Sequence, residues 1–310
     1  MRVRVLGAAA GGGYPQWNCN HPNSRRARDV DDDAARSRTQ SSIAVSADGE
    51  RWVLFNASPD LRQQIAENAI LHPSAALRSS PINAVVLTNA DVDHVAGLLN
   101  LRESQPFNLY GTKRVLGVLE SNTIFNVLNP EFVNREPMTL DRPLHLTDAI
   151  GAPLGVTVVP FAVPGKVALW LEDESQGPNF GSVEEDTIAL EVRDEAGRTR
   201  FFYMPACAAM TDALAARLEG AELVFCDGTL WIDDEMVRDG VGIKTGKRMG
   251  HMSVSGEDGT MAAFEPLGVT RKVFIHINTT NPILLDDSPE RAEVERRGWE
   301  VSYDGMDLEV

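Results

Sequence analysis

Cysteine is scarce in this chain. There are three, Cys19, Cys207 and Cys226, at irregular spacing. That excludes a disulfide framework and makes a reducing cytoplasm the expected location. No apolar run approaches the roughly 18 residues that a membrane helix needs. The start, Met1 to Ala10, mimics a signal peptide, but its apolar part is too short and runs directly into Gly11-Gly12-Gly13, so it reads as a strand and a glycine turn. Positive charge is also short. Twenty-nine Lys and Arg face 45 Asp and Glu, for a net charge of −16 and a pI near 4.8. A nucleic-acid surface needs a basic stripe to replace counterions, and an anionic membrane needs the same, so neither is an expected partner. What remains is 310 residues with 43% apolar content, enough for a sizeable core. No linker divides it, so residues 1–310 read as a single domain.

The elements come in hairpin-like groups with helices between them. Residues 2–7 form the first strand. Residues 20–40 are polar and charge-mixed and read as a long surface loop. Ile43 to Val45 and Arg51 to Asn56 make a hairpin about Ala47-Asp48-Gly49-Glu50. Ser58-Pro59-Asp60 reads as a helix opening with Ser58 as its N-cap. Later strands are expected over 83–87, 156–163, 187–192, 200–204, 223–226, 272–277, 300–303 and 307–310. Thr211 caps a helix over 212–218. This order suits an α/β (α+β) fold, an αββα sandwich of two mixed β-sheets flanked by helices.

The most informative stretch is Thr88-Asn89-Ala90-Asp91-Val92-Asp93-His94, between the 83–87 strand and a helix-like run from Val95 to Leu101. It places Asp91, Asp93 and His94 where side chains at a strand end converge. By itself such a D-x-D-H loop also suits a helix N-terminus, where acidic residues meet the positive dipole end. Only six histidines are present. His276 lies in the apolar stretch 273–278 and His251 follows Gly250. Asp227 ends the 223–226 strand. In an αββα sandwich the strand ends gather along one edge, and an Asp-His pair after an early strand plus a histidine on a late strand is the arrangement that edge requires.

The D-x-D-H loop is similar to the H-x-H-x-D-H ligand loop of the metallo-β-lactamase superfamily, with Asn89 and Asp91 in place of the two leading histidines. More of the chain resembles one family within it, the pyrroloquinoline quinone (PQQ) biosynthesis protein B family. The resemblance runs through Leu6 to Gly13, Pro15 to Cys19, Arg38 to Ala44, Asn56 to Asp60, the D-x-D-H-x-x-G-L-L loop with Leu101-Arg102-Glu103, Phe225 to Thr229, the Gly240-to-His251 segment and His276 to Pro282. It implies a metallo-β-lactamase-like fold and a part in making PQQ. Members typically carry an N-terminal C-x-C-x-x-C zinc clip; here those positions are Cys19, His21 and Ser24, which leaves at most two good zinc ligands.

A binuclear zinc hydrolase of the superfamily would need histidines where Asn89 and Asp91 stand, another near Pro164-Gly165, and a bridging carboxylate near Pro205-Ala206-Cys207. None is there. Asp93, His94 and His276 survive as a two-histidine, one-carboxylate set, which leaves coordination positions open and suits non-haem Fe(II) and O₂ chemistry. Fe(II) is the expected ion, with zinc the alternative. Asp91 is expected as a further ligand or an orienting group, and His251 and Asp227 as proton-transfer residues. The resemblance implies hydroxylation of the tyrosine-derived ring of a Glu–Tyr-derived precursor. Arg102, Lys247 and Arg248 are candidates for its carboxylates, and Asn278, Thr280 and Asn281 for its amides or hydroxyls. The alternatives are a non-catalytic carrier of PQQ or its precursor and a zinc-dependent hydrolase. Expected partners are that small molecule and other proteins of the same pathway, and an acidic enzyme of this size is often a homodimer.

Overall fold

A computed structural model describes residues 1–177 and 179–310. Its strands are β1 (Arg2–Gly7), β2 (Ser42–Ser46), β3 (Trp52–Phe55), β4 (Ile82–Val86), β5 (Phe107–Thr112), β6 (Val133–Met138), β7 (Leu144–Thr147), β8 (Pro153–Ala162), β9 (Ile188–Arg193), β10 (Thr199–Met204), β11 (Leu223–Asp227), β12 (Arg271–Ile275), β13 (Trp299–Val301) and β14 (Asp307–Glu309). They form two seven-stranded mixed sheets, in the orders β14-β1-β2-β3-β4-β5-β6 and β13-β12-β11-β10-β9-β8-β7. The sheets face one another with helices outside, which is the expected αββα sandwich. Alternation decides which side chains go between the sheets. Val3 and Val5 of β1, Ile43 and Val45 of β2, and Val53 and Phe55 of β3 point inward. Phe201, Tyr203 and Phe225 meet them from the second sheet. The Phe55 ring lies 6.3 Å from Phe201 and 5.7 Å from Tyr203. Each such buried ring contributes roughly 2–3 kcal/mol of apolar burial.

The parallel strands set the site. In β3 to β6 and again in β10 to β13 the chain runs in one direction. Their carboxyl ends therefore lie along one edge. At β4's exit, Thr88 is held by Asn56, whose Oδ1 accepts the Thr88 backbone N–H at 2.9 Å. Asn56 itself adopts φ 63°, a left-handed conformation that asparagine tolerates better than most residues. The ligand segment is then stitched to the next turn. Ala57 N–H donates to His94 O at 2.7 Å and Gly97 N–H to Ala57 O at 2.9 Å.

Several local expectations are corrected. The helix after β4 starts at Val92, so Asp93 and His94 lie inside its first turn (Val92–Val95) and 3₁₀ turns carry on to Leu101. The Ser58 hydroxyl donates to Gln64 Oε1 instead of capping, and the helix begins only at Leu61. Residues 20–40 are not all surface loop. Pro22–Ala27 is helical, Asn23 and Ser24 are buried, and both bond the Thr279–Thr280 turn. His276 lies one residue past β12, not within it.

Gly97 is the tightest point of this framework. A Cβ there would sit 2.0 Å from Ser58 O and 2.8 Å from Ala57 O, both backbone atoms that cannot swing away. Gly97→Ala is expected to lower the urea midpoint with an unchanged slope, by an amount equivalent to about 1–3 kcal/mol or more. Because the clash falls on the turn that carries Asp93 and His94, the same variant should bind divalent metal more weakly.

Candidate metal centre

His276 leaves β12 with φ 59°. A left-handed histidine costs of order 1–3 kcal/mol and persists only where its surroundings over-determine it. Here they do. Gly228 N–H donates to Ile275 O at 2.8 Å, Asn278 N–H to Thr229 O at 3.0 Å, and Ile277 N–H to Ala8 O at 3.0 Å. The turn is thus pinned between the exit of β11 and the glycine turn after β1, and it aims the imidazole at Asp93. His276 Nε2 lies 3.0 Å from Asp93 Oδ2, and His94 Nε2 lies 3.9 Å from the same oxygen. The three donor atoms form one group able to hold a metal ion.

Hydrogen bonds behind the two imidazoles fix which ring nitrogen faces the group. Asn89 Oδ1 accepts Asp91 N–H at 3.0 Å, which settles the amide's orientation. The same oxygen lies 2.7 Å from His94 Nδ1, so that nitrogen carries the hydrogen and Nε2 keeps its lone pair for the cavity. Burial pushes the His94 pKa down to about 4, so the ring is neutral at neutral pH, the form that binds metals. The Thr229 hydroxyl donates to Asp227 Oδ1 at 2.6 Å and accepts the His276 Nδ1 hydrogen at 2.8 Å. His276 Nε2 is then left with a lone pair beside an ionised carboxylate. Burial opposes ionisation of Asp93, but the hydrogen bond and charge of His276 beside Oδ2 hold its pKa below the usual range. The contact is stable only with positive charge between Nε2 and Oδ2, either a proton or a metal ion. Burial acts against protonation of His276, while Asp93 and Asp227 raise its affinity for that charge. The donor set therefore fits a divalent cation.

Beside it sits a second group, Asp227, His251 and His276. His251 Nδ1 lies 2.7 Å from Asp227 Oδ2, and its ring stacks on His276 with centroids 5.2 Å apart. Asp227 resists its burial through His251, His276 and Thr229 and stays ionised. Its Oδ2 also accepts Cys207 N–H at 3.1 Å. With Nδ1 committed as donor to a carboxylate, His251 Nε2 has no hydrogen-bond partner among the described residues. Asp91 lies outside both groups. Its Oδ1 accepts Leu169 N–H at 3.1 Å, and burial together with Asp93 raises its pKa.

Asn89, Asp91, Asp93, His94, Thr229, His251 and His276 line a cavity of about 280 Å³, while Asp227 is buried and does not line it. Asn278 lines it too, with its amide donating to Thr280 Oγ at 2.7 Å. Other expected ligand-binding residues do not line it. Arg102 is on the surface, bonded to Leu99 O and paired with Glu103. Lys247 is exposed, and its backbone N–H donates to Asp233. Arg248 grips Glu172 with both guanidinium nitrogens, at 3.0 and 2.7 Å, and lies over the Phe180 ring. Thr280 donates to the Glu235 carboxylate, and Asn281 donates to Gly228 O and caps the next 3₁₀ turn. Two lysines that the spacing did not single out, Lys166 and Lys244, line the cavity instead. Lys244 lies inside the Gly240-to-His251 segment, which was the available signal.

The N-terminal Cys19 and His21 form no three-residue donor group among the described residues. His21 Nδ1 accepts Asn23 N–H at 3.3 Å to cap its helix, and Nε2 meets Asp239 Oδ2 at 3.1 Å. Both ring nitrogens are committed, and the Ser24 hydroxyl is buried against Thr279 at 2.7 Å.

Comparison with known proteins identifies the fold and the family. Residues 51–277 match the family model described as the beta-lactamase superfamily domain. Coenzyme PQQ synthesis protein B of Xanthomonas campestris pv. campestris (strain B100) is 57% identical over 310 residues, covering all of both chains. The crystal structure of Zn(2+)-bound PqqB from Methylobacterium extorquens covers all of both chains at 49% identity with a TM-score of 0.94. A diphosphatase of the PhnP family aligns at a TM-score of 0.68 with 19% identity, over 99% of this chain and 97% of its own, and shares the fold.

Thr229→Val keeps the volume but breaks the link from Asp227 to His276. Divalent metal affinity, read by competition with a chromophoric chelator, should fall about 10–100-fold. Glu235 yields a pH prediction. Burial pushes its pKa from an ordinary 4.5 up to about 7, against bonds from Thr280 and Trp231. A raised carboxyl pKa means the folded state binds the proton more tightly. Stability is therefore fully present below about pH 4.5 and is lost as pH rises to about 7, by roughly 3 kcal/mol. Urea midpoints of metal-free protein across that window should show this slope, and Glu235→Gln should flatten it.

Proposed function

The chain belongs to the coenzyme PQQ synthesis protein B family of the β-lactamase superfamily, and from that premise we propose that it is a metal-dependent oxygenase of PQQ biosynthesis. One observation carries the reading. Two histidines and one carboxylate converge on a cavity wall with a buried acid–base pair, Asp227 and His251, immediately beside them. Asp93, His94 and His276 would hold the ion. Fe(II) would supply O₂ chemistry there, which zinc, having no redox chemistry, would not.

The substrate is a Glu–Tyr-derived precursor whose tyrosine-derived ring is hydroxylated. In the net reaction one atom of O₂ replaces a ring hydrogen as hydroxyl and the other leaves as water. An external two-electron reductant and two protons complete the balance. The protein's own groups do the rest. His251 takes the phenol proton at Nε2, and Asp227 steadies the resulting imidazolium through Nδ1. Thr229 keeps His276 in its ligating tautomer, and Asn89 does the same for His94. Leu169, Met236 and Met249 shield the ring from bulk water.

Anaerobic reconstitution with Fe(II), followed by the Glu–Tyr-derived intermediate, a reductant and O₂, should give iron-dependent O₂ uptake and a product heavier by one oxygen atom. His276→Ala should lose this turnover with its fold retained by circular dichroism. Tight PQQ binding without O₂ uptake under any metal would instead make the protein a carrier.

A further inference from the structure

Two lysines line the cavity, and they differ. Lys166 Nζ is 2.8 Å from Glu172 Oε1, and Arg248 holds the other face of the same carboxylate. That set is internally satisfied. Lys244 also lines the cavity and is half-buried, yet among the described residues it forms neither an ion pair nor a hydrogen bond. In a chain with 45 carboxylates and 29 basic groups, a half-buried lysine without a carboxylate partner is conspicuous.

Lys244 is not on a free loop tip. The next residue, Thr245, accepts Arg248 N–H at 3.3 Å and caps the helix Gly246–Met249. Gly246 N–H donates to Asp233 O at 2.8 Å and Lys247 N–H to Asp233 Oδ1 at 2.7 Å. On its other side, a Cβ at Gly242 would lie 2.6 Å from Met236 Cε, so the segment packs closely on the helix before it. The backbone thus holds Lys244 at the cavity in a fixed frame. The apolar walls nearby are Met236, Met249 and Leu169, a thioether-rich surface that suits a flat ring.

We propose that Lys244 is the carboxylate anchor of this cavity, selecting an aromatic ligand that carries an acid group and orienting its ring toward the metal-holding side chains. The proposal rests on the family function above only in taking PQQ as the probe. Its general class is an aromatic polycarboxylate, held by one charge-assisted bond from Lys244 and by apolar contact with the methionines.

The test titrates metal-free protein with PQQ, with PQQ trimethyl ester and with trimesate, for wild type, Lys244→Met and Lys244→Arg. Lys244→Met should weaken PQQ binding about tenfold or more, and Lys244→Arg should keep it within a few-fold. The trimethyl ester should bind wild type and Lys244→Met alike. Chelator competition and circular dichroism should show metal uptake and fold unchanged in both variants. Equal PQQ affinity in wild type and Lys244→Met overturns the anchor while leaving the family function standing. An equal loss of ester affinity also overturns it, because the contact is then apolar. Lys244-dependent trimesate binding without PQQ binding keeps the anchor and overturns the PQQ reading. No binding of PQQ or trimesate by wild type overturns both.

Discussion

The Thr229 hydroxyl joins the two halves of the site. It donates to Asp227 and accepts from His276, and so commits three groups at once. Asp227 has no proton to give, so the hydroxyl's hydrogen must point to it. The hydroxyl oxygen must then accept from His276 Nδ1, and Nε2 is left bare beside Asp93. Each assignment forces the next, and the chain ends on a point that demands positive charge. The left-handed turn at His276 is tolerated because β11, the turn after β1 and Thr229 all hold it. In this site backbone strain and electrostatic demand meet at one residue.

Much of this was legible in the sequence, for identifiable reasons. Asp93, His94 and His276 could be found because each follows an apolar strand whose period is plain, and the sandwich brings such ends to one edge. Thr211 and the 212–218 helix came out as read, because a threonine cap donating no apolar surface of its own has no competing role there. Ser58 failed as a cap because a tertiary partner, Gln64, took its hydroxyl. Strands β5, β6 and β7 went unread: β5 is an interior strand buried along its whole length, so it shows no apolar–polar alternation, and β6 and β7 are polar edge strands. Val133–Met138 and Leu144–Thr147 bury only part of each face and carry Asn, Arg, Glu and Pro or a histidine between apolar residues.

The ligand-facing cations were the least legible part. Arg102, Lys247 and Arg248 have the charge and the sequence neighbourhood, but side-chain direction and prior pairing decide whether a cation is available. Arg248 is consumed by Glu172, and Arg102 ends a 3₁₀ turn that faces outward. Nothing in local sequence distinguishes these from Lys166 or Lys244. The distinction is made by which carboxylates the fold places within reach, a long-range property.

The replacement of ligands by non-ligands has a consistent physical logic. Asn89 stands where the superfamily loop has a histidine, and its amide oxygen now fixes the His94 tautomer from behind. A residue type that would bind metal has become one that orients a metal-binding neighbour. Asp91, in place of the other leading histidine, is turned to the Leu169 backbone. Ala206 lines the cavity near where a bridging carboxylate would stand, and the nearby Asp227 spends its oxygens on Cys207 N–H, Thr229 and His251. At Asn89, one of the replaced donor positions has thus been turned to orienting His94. The cavity is lined by His251 and Thr229 together with Lys166, Lys244, Met236 and Met249. Under the proposed function, such a lining would serve a site that holds one ion and one flat, acidic small molecule together.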